Sequence, residues 1–208
     1  MSAGPNRFQV AAIVLAAGRS TRMAPDNKLL QVIDGAPVVR HVVSAALASG
    51  AHPIIVVTGF DADRVAQALC GLEVSIIRNP AHAEGLSTSL RAGLLALPDG
   101  TDGALICLGD MPAIEIGDLK TLIAAFAAKG GAGICVPVRH GRRGNPVLWG
   151  VGSFSEMMTL RGDVGAKQLI AGHEACVTEV EMVSDGIFAD VDAPSDLARL
   201  RTKLPSNS

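Results

Sequence analysis

Five short runs rich in valine, isoleucine and alanine, Val10–Leu15, Pro53–Thr58, Val74–Ile77, Ala104–Leu108 and Ile134–Pro137, punctuate the first two thirds of the chain. Continuous apolar runs of this length, without polar alternation, are the pattern of strands buried on both faces. Between them Pro37–Ala48, Asp61–Leu69, Ser87–Leu97 and Ile116–Lys129 carry Val, Leu and Ala at helical spacing, with Pro37 suited to a first helical turn and Gly50 to a helix stop. Strands and helices that alternate with such short connections imply a mostly parallel sheet covered by helices, an α/β class. With 208 residues, 49% of them hydrophobic, the chain is long enough for one such domain with a buried core.

After Val138 the regularity weakens. VRHGRRGNPVLWG is loop-rich and basic, with a strand expected at PVLW. A helix is expected around Ser153–Met158, a loop at LRGDVG, a helix at Ala166–Ala171, a strand around Ala175–Val180 and a last helix at Pro194–Lys203, with fraying over Pro205–Ser208.

Composition excludes several functions. The apolar blocks are far shorter than the roughly 20 residues of a membrane span, and MSAGPNRFQV has no long apolar stretch of a secretory leader, so a cytoplasmic protein without membrane attachment is expected. Cys70, Cys107, Cys135 and Cys176 are widely spaced and lack companion histidines, which points to neither a zinc site nor a disulfide framework. A net charge of −2 and 3% aromatic residues, with no tyrosine, argue against nucleic acid as a partner.

The first strand runs into LAAGRSTRMAPDNKLL, a turn of small residues followed by arginines and a lysine. In open parallel sheets ligands bind beyond the carboxyl ends of the strands, and successive N–H groups in a turn form a hollow for anions. Arg22 offers a fork of donors and Lys28 a point charge, a combination suited to phosphate oxygens. Neither GxxxxGK[ST] nor GxGxxG is present, and a solvated basic turn is the plainer alternative. Asp110 ends the run ALICLG, where a carboxylate can hold magnesium or merely shape a turn. Asp190 and Asp192, in ADVD, would share one side of an extended segment, and Asp192 could equally cap the last helix. Gly85 and Ser87 precede a helix expected near Thr88, whose free N–H groups would attract an anion or a base carbonyl, although capping alone would explain Ser87. Arg139, His140, Arg142 and Arg143 share one loop that could draw in an anion or simply be solvated. Asp163 reads as a helix cap, and Trp149 as a core residue with stacking as the other option.

Seven stretches occur in an order that resembles the MobA-like nucleotidyltransferases: LAAGRSTRM with NKLL, GAPVVRHVVSAALASGAHPIIVVTG, NPAHAEGLSTSLRAGL, LGDMPAI, GNPVLW, GDVGAK and DVDAPSDL. The resemblance implies a single-domain Rossmann-like, GT-A-like nucleotidyltransferase fold over residues 1–208, with a nucleotide part over about 8–112 and an acceptor part over about 113–204. The subgroup most similar is the molybdenum cofactor cytidylyltransferases, which transfer CMP from CTP to the phosphate of the molybdenum-bearing pterin and release pyrophosphate with Mg²⁺. It implies nucleotide contacts from Leu15, Ala16, Ala17, Gly18, Arg22, Lys28, Asn79, Gly85 and Ser89, with Arg22, Lys28 and Asp110 in catalysis. The metal falls to Asp110 and Asp192, with Asp190 as the alternate, and the acceptor to Gly144, Asn145, Pro146 and Lys167. A molybdenum-hydroxylase maturation chaperone or the target hydroxylase would be the protein partner. Ala24 and Ala193 depart from the family's usual Gly and Thr. A GTP-using or sugar-phosphate-using relative, or a non-catalytic molybdopterin chaperone, remains open at this point.

Overall fold

The computed structural model describes residues 8–19, 23 and 26–203, with side chains as far as residue 200. Arg22, Ala24 and Pro205–Ser208 lie outside the described residues. In chain order the elements are β1 (Val10–Ala16), β2 (Val32–Ile33), β3 (Ala36–Pro37), α1 (Val38–Ala48), β4 (Ile54–Thr58), α2 (Ala62–Ala68), β5 (Ser75–Arg78) and α3 (Leu86–Leu95). They continue with β6 (Gly103–Leu108), α4 (Ile116–Ala128), β7 (Ile134–Arg139), β8 (Arg142–Arg143), β9 (Val147–Gly150), α5 (Phe154–Met157), β10 (Val177–Glu181) and α6 (Pro194–Lys203).

One sheet runs in the order β10-β7-β9-β6-β1-β4-β5, with β8 added to β7, while β2 and β3 form a separate small hairpin. β1 is parallel to both β4 and β6, as are β4 to β5 and β7 to β10. β9 returns antiparallel between β6 and β7, so the sheet is mixed and mostly parallel, as the sequence predicts. Burial on both faces is visible residue by residue. Val10, Ala12, Val14 and Ala16 of β1 enter one apolar cluster together with α1 and α4, whereas Ile13 and Leu15 enter the opposite one with Leu90 and Leu94 of α3. The same alternation divides Ile54 and Val56 from Ile55 and Val57, which is why these strands show no polar face in sequence.

Three expectations need correction. The third strand forms at Ser75–Arg78 on the sheet edge and is largely exposed, because at that margin the helices no longer cover both faces. The segment expected as a helix at Ala166–Ala171 is a 3₁₀ helix, Ala166–Gly172, preceded by Gly165 and closed by Gly172, a residue type that disfavours an α ladder. The next strand begins at Val177 rather than Ala175, since Glu174–Cys176 is a further 3₁₀ turn. Trp149 is a core residue, buried in β9 between Ala104 of β6 and Ile134 of β7.

A third cluster, Met23, Ile33, Val38, Val191, Leu197 and Leu200, ties α6 to the β2–β3 hairpin. No helix among the described residues is long and apolar enough to cross a membrane.

Candidate active site

β1 and β6 are neighbours in parallel register, Leu15 beside Leu108, so both strands end at one edge of the sheet. Gly109 N–H donates to the Leu15 carbonyl at 3.0 Å and carries the pairing one step further. A cleft of about 580 Å³ opens at this edge. Its lining takes Leu15, Ala17, Gly18 and Lys28 from the first strand and the segment after it, and Leu108 and Asp110 from the end of β6. Gly85 and Ser89 line a further stretch of wall. An added Cβ at Gly18 would meet nothing within 4 Å among the described residues, and the missing side chain leaves the cleft wider there. Ala16 points instead into the core, and Asn79 lies buried outside the lining. Asn79 Nδ2 donates to the Thr88 and Ser89 hydroxyls at 2.8 and 3.0 Å, while its Oδ1 accepts from Ala81 N–H. Its role is to brace the wall that presents Ser89.

Lys28 occupies the centre of charge. Asn27 Oδ1 accepts from Leu29 N–H at 3.0 Å and starts the 3₁₀ turn Lys28–Leu30, which fixes the lysine backbone. Lys28 Nζ then lies 2.5 Å from Asp110 Oδ2 and 2.9 Å from Asp192 Oδ1. Asp192 reaches this point because Val191 N–H donates to the Asp110 carbonyl at 2.8 Å and the Val191 side chain is anchored in the third cluster. Burial pulls the Lys28 pKa down, but the Asp110 and then Asp192 carboxylates outweigh it and the net shift is upward. The sequence offered Asp192 a capping role that Asp196 fills: its Oδ2 accepts from both the Asp192 and Ala193 N–H groups. This is the reciprocal half of a capping box, and it persists without a hydroxyl at Ala193. Asp190 is exposed and outside the cleft lining, which favours Asp192 of the pair.

The amino end of α3 is not the free anion site that its position promised. Leu86 N–H donates to Asp163 Oδ1 at 3.3 Å and Ser87 N–H to the Gly162 carbonyl at 3.2 Å. Asp163 therefore caps a helix far from it in sequence, not the one that follows it. Ser87 sits inside the first turn, with its hydroxyl buried and making no hydrogen bond, so it is not the cap. Gly85 makes this junction possible: its φ is +116°, and a Cβ would lie 2.3 Å from the Gly162 carbonyl carbon. Arg91 Nη1 donates to the Leu160 carbonyl at 2.7 Å and fastens the same segment from the helix side. Asp163→Ala is expected to raise the nucleotide KM about two- to fivefold, in line with loss of a cap worth about 1 kcal/mol, and to leave kcat unchanged. Asp163→Asn, which keeps the acceptor oxygen, should restore the wild-type KM; steady-state kinetics on the pair decides whether geometry or charge matters.

The basic loop is largely neutralised. Arg139 Nε is 2.6 Å from Asp185, and Arg143 engages Glu174 at 2.6 Å and Glu179 at 2.8 Å. The guanidinium of Arg142 stacks over the Phe188 ring at 4.7 Å. The expected field of four basic residues thus shrinks. Gly144 and Pro146 are buried and Asn145 N–H donates to the Ile187 carbonyl at 3.0 Å, so this turn lies against the 187 region and not in the cleft lining. Lys167 is exposed and outside the lining, with its pKa lowered by partial desolvation.

Among the described residues no group of three or more His, Cys, Asp or Glu side chains converges for a metal. Magnesium needs fewer: one or two carboxylates, with water and phosphate oxygens supplying the rest. Two carboxylate oxygens already converge on one cation, the Lys28 ammonium, so the donor set of Asp110 and Asp192 fits such an ion. Asp163, which the sequence marks only as a helix cap, also lines the cleft, as do the exposed Arg19 and the half-buried His82.

The MobA-like NTP transferase domain family, compared as a family model, matches residues 12–177. The chain belongs to this family. Among solved structures, a nucleotidyl transferase from Methanothermobacter superposes with a TM-score of 0.80 at 27% identity, covering 93% of this chain and 96% of that one. Rv0371c from Mycobacterium tuberculosis, solved in complex with manganese, gives a TM-score of 0.80 at 25% identity over 95% of this chain and 100% of its own. Among curated relatives, the bifunctional protein GlmU of Kineococcus radiotolerans is 31% identical over 184 residues, 86% of this chain and 35% of the relative. The chain spans between a quarter and about a third of the length of the first GlmU relatives it matches. This MobA-like chain is a nucleotidyltransferase with the GT-A-like fold of its structural neighbours.

Proposed function

We propose that this MobA-like domain, one domain carrying both donor and acceptor sides, transfers CMP from CTP to the phosphate of the molybdenum-bearing pterin and releases pyrophosphate. The observation that carries the reading is the convergence of Lys28, Asp110 and Asp192 where β1 and β6 end, beside a cleft of about 580 Å³. The attacking group is a phosphate whose second pKa is about 6, so the reaction needs no nucleophilic side chain from the protein. Positioning and charge stabilisation are what remain for the protein to supply.

Asp110 and Asp192 would hold a magnesium ion, whose chemistry when bound is to balance negative charge on phosphate oxygens; the manganese complex of the mycobacterial relative supports a divalent cation in this family. Lys28 and Arg22 would take the β and γ phosphates. The Ser89 hydroxyl accepts from Asn79 and leaves its own proton for a ribose or base oxygen. For cytosine, support comes from the spelling LAAG across the end of β1 and its resemblance to the cytidylyltransferase subgroup. Gly144, Asn145, Pro146 and Lys167 are proposed for the acceptor side, and the product would pass to a molybdenum hydroxylase or its maturation chaperone.

One observation favours a second reading, in which the acceptor is a sugar phosphate: the arginines expected to attract a pterin are paired with Asp185, Glu174 and Glu179. The experiment is pyrophosphate release with CTP, GTP, UTP and ATP in turn, each with Mg²⁺ and either molybdenum-loaded molybdopterin or a hexose 1-phosphate. CTP with the pterin is expected to be the productive pair. Turnover with GTP alone overturns the base assignment, turnover with the sugar phosphate alone overturns the acceptor, and none with any pair favours a cofactor-holding role.

A further inference from the structure

Lys28 fills the position that a metal shared by Asp110 and Asp192 would need. Its ammonium lies 2.5 Å from an oxygen of the first and 2.9 Å from an oxygen of the second. A magnesium ion on the same two oxygens sits about 2.1 Å from each, in space the ammonium already occupies, and its charge repels the ammonium at contact distance. Lysine and metal therefore exclude each other at this pair. The lysine can leave: its backbone is fixed by Asn27, but four rotatable methylenes carry the charge, and the Asp192 side chain is 42% exposed on the cleft side. What draws it away must be an anion entering that cleft.

We infer that Lys28 is a resident counter-ion that bars free divalent metal from the Asp110–Asp192 pair, so that the metal is admitted only with the polyphosphate that takes up the lysine. This rests on the reading of the two aspartates as the metal-holding pair. It assigns Lys28 two successive partners, the carboxylates first and then phosphate. The ammonium between them also offsets part of the repulsion between two carboxylates held side by side.

The test is Mn²⁺ binding without nucleotide, titrated by electron paramagnetic resonance on the full chain. Lys28→Met is expected to bind Mn²⁺ at least about tenfold more tightly than wild type, because the competing cation is gone. Its thermal midpoint should fall relative to wild type and rise again with Mn²⁺, whereas the wild-type midpoint stays unmoved. The double variant Lys28→Met with Asp110→Asn should lose the tight binding. Lys28→Gln, which retains a hydrogen bond but no charge, carries the same test where the methionine variant is poorly folded. Equal Mn²⁺ affinity in wild type and both lysine variants, with weakening by Asp110→Asn, overturns the exclusion while leaving the metal pair intact. Mn²⁺ binding indifferent to both Asp110→Asn and Asp192→Asn overturns the metal pair itself.

Discussion

Asp110→Asn is expected to lower the rate of pyrophosphate release at saturating substrate by roughly a hundred- to a thousandfold, about 3–4 kcal/mol of transition-state stabilisation. The substitution keeps the side-chain shape and removes one charge. It leaves the bond from Val191 N–H to the residue 110 carbonyl, so the main-chain geometry that delivers Asp192 survives. The loss falls in kcat because the charge that Asp110 helps to balance grows as pyrophosphate departs. A modest fall in nucleotide affinity would accompany it, since a metal held with the phosphates would lose the charge of one of its two carboxylates. Full turnover in the asparagine variant would remove Asp110 from the catalytic machinery.

Trp149→Ala is expected to destabilise the protein by about 3–5 kcal/mol through the cavity it leaves. The indole is 1% exposed and belongs to the cluster that includes Ile134, Val136, Val147 and Met157, at the point where β9 is wedged between β6 and β7. For a chain of this size the thermal midpoint should drop by about 10 °C. Trp149→Phe, which refills most of the volume, should recover more than half of the loss. Were the indole instead a stacking platform for the acceptor, Trp149→Ala would raise the acceptor KM and leave the midpoint alone. Thermal denaturation and acceptor kinetics on the two variants separate the cases.

The fold was legible because the core strands are apolar on every residue and the helices between them are periodic. That reading weakened where the sheet reverses. β8 and β9 are short, and the antiparallel insertion of β9 between β7 and β6 depends on tertiary pairing such as Trp149 with Ala104 and Ile134, which no local pattern encodes. Lys28 and Asp110 stood out because both follow strands that end at one sheet edge. Asp192 could not be told from Asp190 by alternation, since residues 189–193 form no strand; the anchoring of Val191 makes the choice. The role of Asp163 was hidden for a related reason. A cap is recognised in sequence when it precedes its own helix, and this one serves α3 across 77 residues. The pairing of Arg139 and Arg143 with distant carboxylates was equally beyond a reading of local charge.

The central ion pair joins residues 164 positions apart, Lys28 from the loop after the first strand and Asp192 from the entry to the last helix. On a ribosome the chain is made from its amino end at about 5–20 residues per second, so many seconds separate the emergence of these two groups. During that interval the sheet edge at β1 and β6 can already exist, with Asp110 beside Lys28 and Asp192 still to come. The second carboxylate thus joins long after the first, and a chain not yet extended to residue 192 holds only one of the two carboxylates that converge on Lys28.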